Sequence, residues 1–239
     1  MKTPRGRAQT DAATEGAPRR FVFLLAPDFS MIAFAATIEP LRLVNRVSRR
    51  RLYTWRLVSE SGAPVLASNG VSVGVEGGLD ETGRDATILV CAGVDAHRGA
   101  TRPVLTWLRR QSRLGAGLGA LCTGSTILAK AGLLDGRRCT IHWENRDSFA
   151  EEFPEADVTH GVFEIDRDRM TCAGGTAGAD MMLDLIARDH GPDLASLVSD
   201  QLVMAPARSP GEEQRLSVPA RIGVRNPKLV TVIQRMEQT

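Results

Sequence analysis

Ala120-Leu121-Cys122-Thr123-Gly124 holds one cysteine between small residues, where a strand-like run gives way to a helical one. Gly115–Leu121 supplies the run of small and apolar residues, and Thr123–Lys130 supplies the helix. This is the cysteine form of the G-x-S-x-G elbow, whose turn is too tight for a larger neighbouring Cβ. A sulfur held there faces the first turn of a helix, whose unpaired N–H groups favour a thiolate. The chemistry on offer is nucleophilic attack, or contact with a bound ligand. The same residues also suit a buried, inert cysteine, the usual state of a free thiol.

Two further side chains fit such chemistry. Glu39 stands between Ile38 and Pro40 in an apolar stretch, and His142 ends a strand twenty residues after Cys122. Acid, thiol and imidazole in that chain order make a set in which Glu39, as a protonated acid, approaches the sulfur while His142 lines the same pocket. The backbone N–H of Thr123, with Gly93 at the end of another strand, would form a hole for a carboxylate or oxyanion. Trp143 would offer its ring face to a cation, a contact of about 0.5–2 kcal/mol. Each has a plainer use: Glu39 as a solvated helix residue, His142 as a satisfied strand end, Trp143 as core. Asp180 and Asp184, one turn apart on a long helix, read as a solvated or capping pair.

The elements that must hold these groups alternate. Phe21–Ala26 and Ala86–Cys91 are continuous apolar runs, the mark of parallel strands buried on both faces. A helix over 31–47 follows the first, capped by Ser30, with Pro40 expected to kink or split it. Residues 52–60 read as a strand, 63–76 as a hairpin around Asn69-Gly70, and 100–113 as a helix. Beyond the elbow come a strand over 138–141, a helix over 144–152, a short strand over 157–159 and a hairpin of 162–165 with 169–172. Helices over 177–189 and 192–204 close the series. The fold class is α/β: a parallel-rich sheet flanked by helices on both faces, flavodoxin-like.

Composition narrows the partners. The 239 residues are 43% hydrophobic and 24% charged, ordinary for a globular chain. No apolar run reaches the roughly 20 residues of a membrane span, and no hydrophobic signal core follows the N-terminus, so a cytoplasmic protein is expected. Four cysteines without C-x-x-C pairs and four unclustered histidines predict neither a disulfide framework nor a metal site, and no cofactor motif is present. The net charge of +2 is uneven: residues 1–20 and 205–239 each carry +3, leaving −4 on 21–204. A body of that sign does not grip phosphates by itself.

Elbow cysteine, acid after the first strand and histidine after the next strand together resemble the ThiJ/PfpI superfamily, over about 21–204. The resemblance implies a class I glutamine amidotransferase-like sheet. More closely, several segments look like the N-terminal domain of AraC-type regulators of the GlxA-like group. They are Phe29-Ser30-x-x-Ala33-Phe34 with Glu39-Pro40-Leu41-Arg42, Cys122-Thr123-Gly124, Thr140-Ile141-His142-Trp143 and Thr171-Cys172-Ala173-Gly174-Gly175-Thr176. The likeness is greatest to regulators of quaternary-amine and arginine catabolism. Composition without periodicity reads as a disordered tail over 1–19 and a Pro-rich linker over 205–225; the resemblance implies a ligand-sensing domain over 20–204 and the start of a helix-turn-helix domain over 226–239. In that reading the domain senses an amino-acid-like or betaine-like effector through Glu39, Gly93, Cys122, Thr123, His142 and Trp143. It forms a homodimer, and DNA is met by a C-terminal domain missing here. PfpI-type peptidases place histidine directly after the elbow cysteine; Thr123 stands there instead, so peptidase activity is not implied. The alternative is a cysteine-dependent hydrolase, hydratase or glyoxalase-type lyase using Cys122. A third reading is a dimerisation module with an empty pocket.

Overall fold

A computed structural model describes residues 16–204 and 207–215, with the single positions 228, 232, 233 and 236. The expectations for most of the N-terminal tail, for 216–225 and for the helix beginning at Asn226 lie outside the described residues.

The chain opens with β1 (Arg19–Leu25), α1 (Met31–Ser48), β2 (Tyr53–Val58), the hairpin β3 (Val65–Leu66) and β4 (Ser72–Val73), β5 (Ala86–Cys91) and α2 (Arg102–Arg113). It continues through β6 (Gly117–Leu121), α3 (Gly124–Lys130), β7 (Arg138–Cys139), α4 (Arg146–Glu152) and β8 (Asp157–Val158). It ends in β9 (Phe163–Asp166), β10 (Arg169–Cys172), α5 (Ala177–His190) and α6 (Pro192–Leu202). Six strands form the main sheet, in the order β2-β1-β5-β6-β10-β9; every neighbouring pair is parallel except β10 with the edge strand β9. Leaving out the small pairs β3-β4 and β7-β8, the parallel strands follow the flavodoxin-like order of second, first, third, fourth, fifth.

Alternation along β1 shows why two layers of helix are required. Phe21, Phe23 and Leu25 point into a core shared with α1, α5 and α6, through Phe34, Leu41, Met181 and Ile186. Val22, Leu24 and Ala26 point the other way, onto Leu108 of α2 and Ile127 and Leu128 of α3. Both faces are thus dry, as continuous apolar strands demand. Pro40 lies buried within α1 and does not split it. Its missing N–H removes one backbone bond, which the packing of the helix against the sheet outweighs. No helix among the described residues is long and apolar enough to cross a membrane.

The segment expected as a free linker is partly docked. Pro210 and Glu212–Arg215 run along the edge formed by Gly161 and Val162, and the Val162 amide donates to the Glu212 carbonyl at 3.1 Å. Isolated long-range contacts of backbone and side chain produce this, not a secondary-structure period, so the Pro-rich composition hides it.

Candidate functional site

β6 delivers Cys122 to the C-terminal edge of the sheet, where parallel folds of this type bind their ligands. Cys122 has φ +59°, a left-handed conformation unusual for a residue with a side chain. The expected elbow is therefore present. Its amide donates to the Cys172 carbonyl at 3.0 Å, which ties the turn to the end of β10. Gly174, with φ +92°, closes against it: a Cβ there would stand 2.8 Å from the Cys122 Cβ and 3.0 Å from its sulfur. Glycine is required at that position because backbone lies directly on the thiol.

The elbow does not favour a thiolate. Burial pushes the Cys122 thiol above the ordinary cysteine value, and the negative field of Glu144 pushes the same way. The Thr123 amide and hydroxyl pull against both without reversing the balance. α3 is only seven residues long, so its dipole is small. Desolvation wins, and the sulfur stays protonated at neutral pH.

Glu39 is not brought to the sulfur. Its carboxylate is taken by Arg42, one turn on, at 2.5 Å and 2.8 Å, and both side chains are nearly half exposed. The helix geometry gives the reason. Ser30 caps α1 at the sheet's C-terminal rim, accepting from the Ala33 amide at 3.4 Å. Glu39 lies nine residues down the axis, about 13 Å from that rim. It also lies about 200° round the helix from Thr37, which is fully buried. Glu144 is the carboxylate whose charge reaches Cys122; its Oε2 lies 3.6 Å from His142 Nδ1.

Gly93 and Thr123 are committed to each other. The Thr123 hydroxyl donates to the Gly93 carbonyl in a buried bond. The space where a Gly93 Cβ would stand is filled by the Asp28 carbonyl, so this glycine lets the β1–α1 loop close onto the end of β5. Neither the Thr123 hydroxyl nor the Gly93 carbonyl is spare for a ligand.

His142 and Trp143 do come together at a cavity, of about 200 Å³, which they line with Gly174, Gly175, Arg208 and Gln214. His142 Nδ1 accepts from the Glu144 amide at 3.4 Å, and the His142 and Trp143 rings are 5.6 Å apart. Trp143 is not core: it is 38% exposed, with the Arg215 guanidinium 4.1 Å over its ring. Cys122 does not line this cavity, but Gly174, which does, packs against the sulfur. Asp180, read from sequence as solvated, is 1% exposed and binds Arg208, Nη2 at 2.6 Å and Nε at 2.9 Å. Asp184 is half-buried and pairs with Arg188 at 2.7 Å, one turn on. Arg208, Gln214 and Arg215 had no signal in the sequence beyond charge in a Pro-rich stretch. Gly174-Gly175, in contrast, was visible as a pair placed between a strand and a helix. Among the described residues no group of three or more His, Cys, Asp and Glu is arranged to hold a metal ion. A larger cavity, of about 680 Å³, opens by Leu25, Pro64 and Pro103, is not lined by Cys122, and has more apolar than polar lining, with Asp28, Glu60 and Arg98 among its residues. Of the candidate site residues read from sequence, only His142 and Trp143 line the smaller one, and none lines the larger.

Comparison with known proteins agrees with this fold. The model of the DJ-1/PfpI family matches residues 19–188. The HTH-type transcriptional regulator CdhR of Pseudomonas aeruginosa is 50% identical over 218 residues, covering 91% of this chain and 65% of the relative. The HTH-type transcriptional regulator GlxA of Rhizobium meliloti is 39% identical over 221 residues, covering 92% of this chain and 68% of the relative. The chain thus spans roughly two thirds of the length of these curated relatives. Among solved structures, an AraC family transcriptional regulator from Pseudomonas putida superposes with a TM-score of 0.69 at 30% identity, covering 77% of this chain and all of that one.

Proposed function

The chain belongs to the DJ-1/PfpI family, and from that premise we propose that it is the effector-sensing and dimerisation domain of a helix-turn-helix transcription regulator. The effector is an amino-acid-like or quaternary-amine molecule whose catabolism the regulator controls, and the setting is the cytoplasm. DNA contact belongs to a C-terminal domain beyond residues 20–204. The observation that carries the reading against catalysis is the state of Cys122. A cysteine nucleophile needs a base within hydrogen-bond reach or a lowered pKa. Here burial raises the thiol, Glu39 is spent on Arg42, and no imidazole or carboxylate hydrogen-bonds the sulfur among the described residues. What remains is a shaped cavity with an aromatic face suited to an ammonium group.

Calorimetry with a panel of betaines, carnitine and arginine tests the proposal, alongside turnover assays with methylglyoxal and a simple ester. Cys122→Ser is expected to bind the effector within about threefold of the parent, since shape and hydrogen bonding hold the ligand. The left-handed backbone at Cys122 supports a second reading, a retained lyase or hydrolase. Turnover by the parent that Cys122→Ser abolishes, with no panel member bound by either, would establish that reading instead.

A further inference from the structure

Residues 207–215 run beside the Trp143 cavity, anchored by a buried ion pair at one end and by an amide and a cation–π contact at the other. At the first end, Arg208 meets the buried Asp180 through its side chain and through its own amide, at 2.9 Å, and also donates to the Thr176 hydroxyl at 2.9 Å. In the middle, the Val162 amide donates to Glu212, and Gly161 bridges Glu213. At the far end, Gln214 Nε2 has three acceptors within 3.0 Å: Thr140 Oγ1, Ile141 O and Gly161 O. That geometry fixes which end of the amide is nitrogen, and it leaves Gln214 Oε1 buried with no hydrogen-bond partner. Beyond it, Arg215 lies over the ring of Trp143.

We propose that this segment is a displaceable strap, and that Arg215 occupies on Trp143 the seat that an ammonium-bearing effector takes. This rests on the effector-sensing reading and names how that same site is regulated. Two cations cannot share one ring face, so a ligand that uses Trp143 must evict the guanidinium. An unpaired buried amide oxygen makes the docked state of Gln214 costly, so eviction of Arg215 loosens its neighbour as well. Arg208 keeps its buried ion pair, and the strap peels from its C-terminal end only. The chain continues from Arg215 toward residue 239, so the displacement is passed to whatever follows the domain. Competition by Arg215 lowers the apparent affinity by the fraction of molecules in which the strap is docked.

The test uses the whole chain with glycine betaine, tetramethylammonium and 3,3-dimethylbutanoate, the last matching betaine in shape without its cation. Calorimetry is expected to show Arg215→Ala binding glycine betaine about fivefold tighter than the parent, with Arg215→Lys, which keeps a cation, within twofold of it. Only the two ammonium compounds should bind. Hydrogen exchange should show the Val162 amide losing protection on ligand binding while the Arg208 amide stays protected. Equal affinity of parent and Arg215→Ala, with Val162 protection unchanged by bound betaine, would overturn the strap and leave effector sensing standing. Absence of binding of either ammonium compound by parent and variants alike would overturn the ammonium seat and the strap with it, while the panel with carnitine and arginine decides the effector reading separately.

Discussion

Cys122 holds a left-handed conformation that costs about 1–2 kcal/mol for a residue with a Cβ. The bond from its amide to Cys172 and the close seat of Gly174 hold it there. Because burial raises the thiol's pKa, the folded chain keeps this proton more tightly than the unfolded one. The stabilisation from a neutral sulfur is therefore complete below the ordinary cysteine value near 9 and is lost as pH climbs from there toward the raised value. Alkylation of Cys122 by iodoacetamide, followed by mass spectrometry, should be slow at pH 7 and reach its midpoint above pH 9. A midpoint at or below neutrality would return the nucleophile to contention. Gly174→Ala should destabilise the fold by about 2–3 kcal/mol, since it combines a positive φ with a Cβ pressed on Cys122. For a chain of this size that lowers Tm by roughly 4–12 °C, readable by calorimetric melting. The elbow was legible because a tight turn demands small residues, and these stand in the sequence. The role of Glu39 was not, because a carboxylate in an apolar run gives no sign of which way the helix turns it. Arg42 stood three residues on and was the more local partner.

At the scale of elements, the sheet was readable from runs such as Phe21–Ala26 and Ala86–Cys91, whose unbroken apolarity admits only a strand covered on both sides. The helix α1 was readable from its Ser30 cap and apolar period, and α5 from its apolar residues Met181, Met182, Leu185 and Ile186. The strap was hidden because its hold comes from single long-range contacts: Arg208 with Asp180, Gln214 with the end of β7, Arg215 with Trp143. No local period encodes such contacts. Asp180 is the strongest of these anchors, being a buried charge satisfied only by a partner twenty-eight residues away. Removing one partner of a buried pair costs about 3–5 kcal/mol. Arg208 is one-third exposed and regains hydration when released, so Asp180→Ala should cost nearer 2–3 kcal/mol. Arg208→Ala leaves the carboxylate stranded in the core and should cost at least as much. Urea unfolding compares the two; a midpoint unchanged from the parent in Asp180→Ala would show that the pair holds nothing in place.

For the whole molecule, charge and symmetry bear on the same question. Residues 21–204 carry −4, so this body repels the DNA backbone, and a regulator built on it needs its nucleic-acid contacts elsewhere. The relatives it resembles are named as HTH-type regulators. A helix-turn-helix unit reads one short half-site, and operators of such proteins pair half-sites about one helical turn apart. Two units must then be held at a fixed spacing, which a symmetric interface between folded domains supplies without further linkers. The folded domain described above is available for that purpose, so the chain is expected to be a homodimer. Light scattering at micromolar concentration should return a mass near twice the 25.8 kDa of the chain. The mass should hold at 0.5 M salt if apolar contacts carry the pairing, because at that ionic strength exposed charges are screened within a few ångströms. A monomer at every concentration up to about 100 μM would mean that pairing, where it occurs, resides outside these residues, and this domain would then only sense.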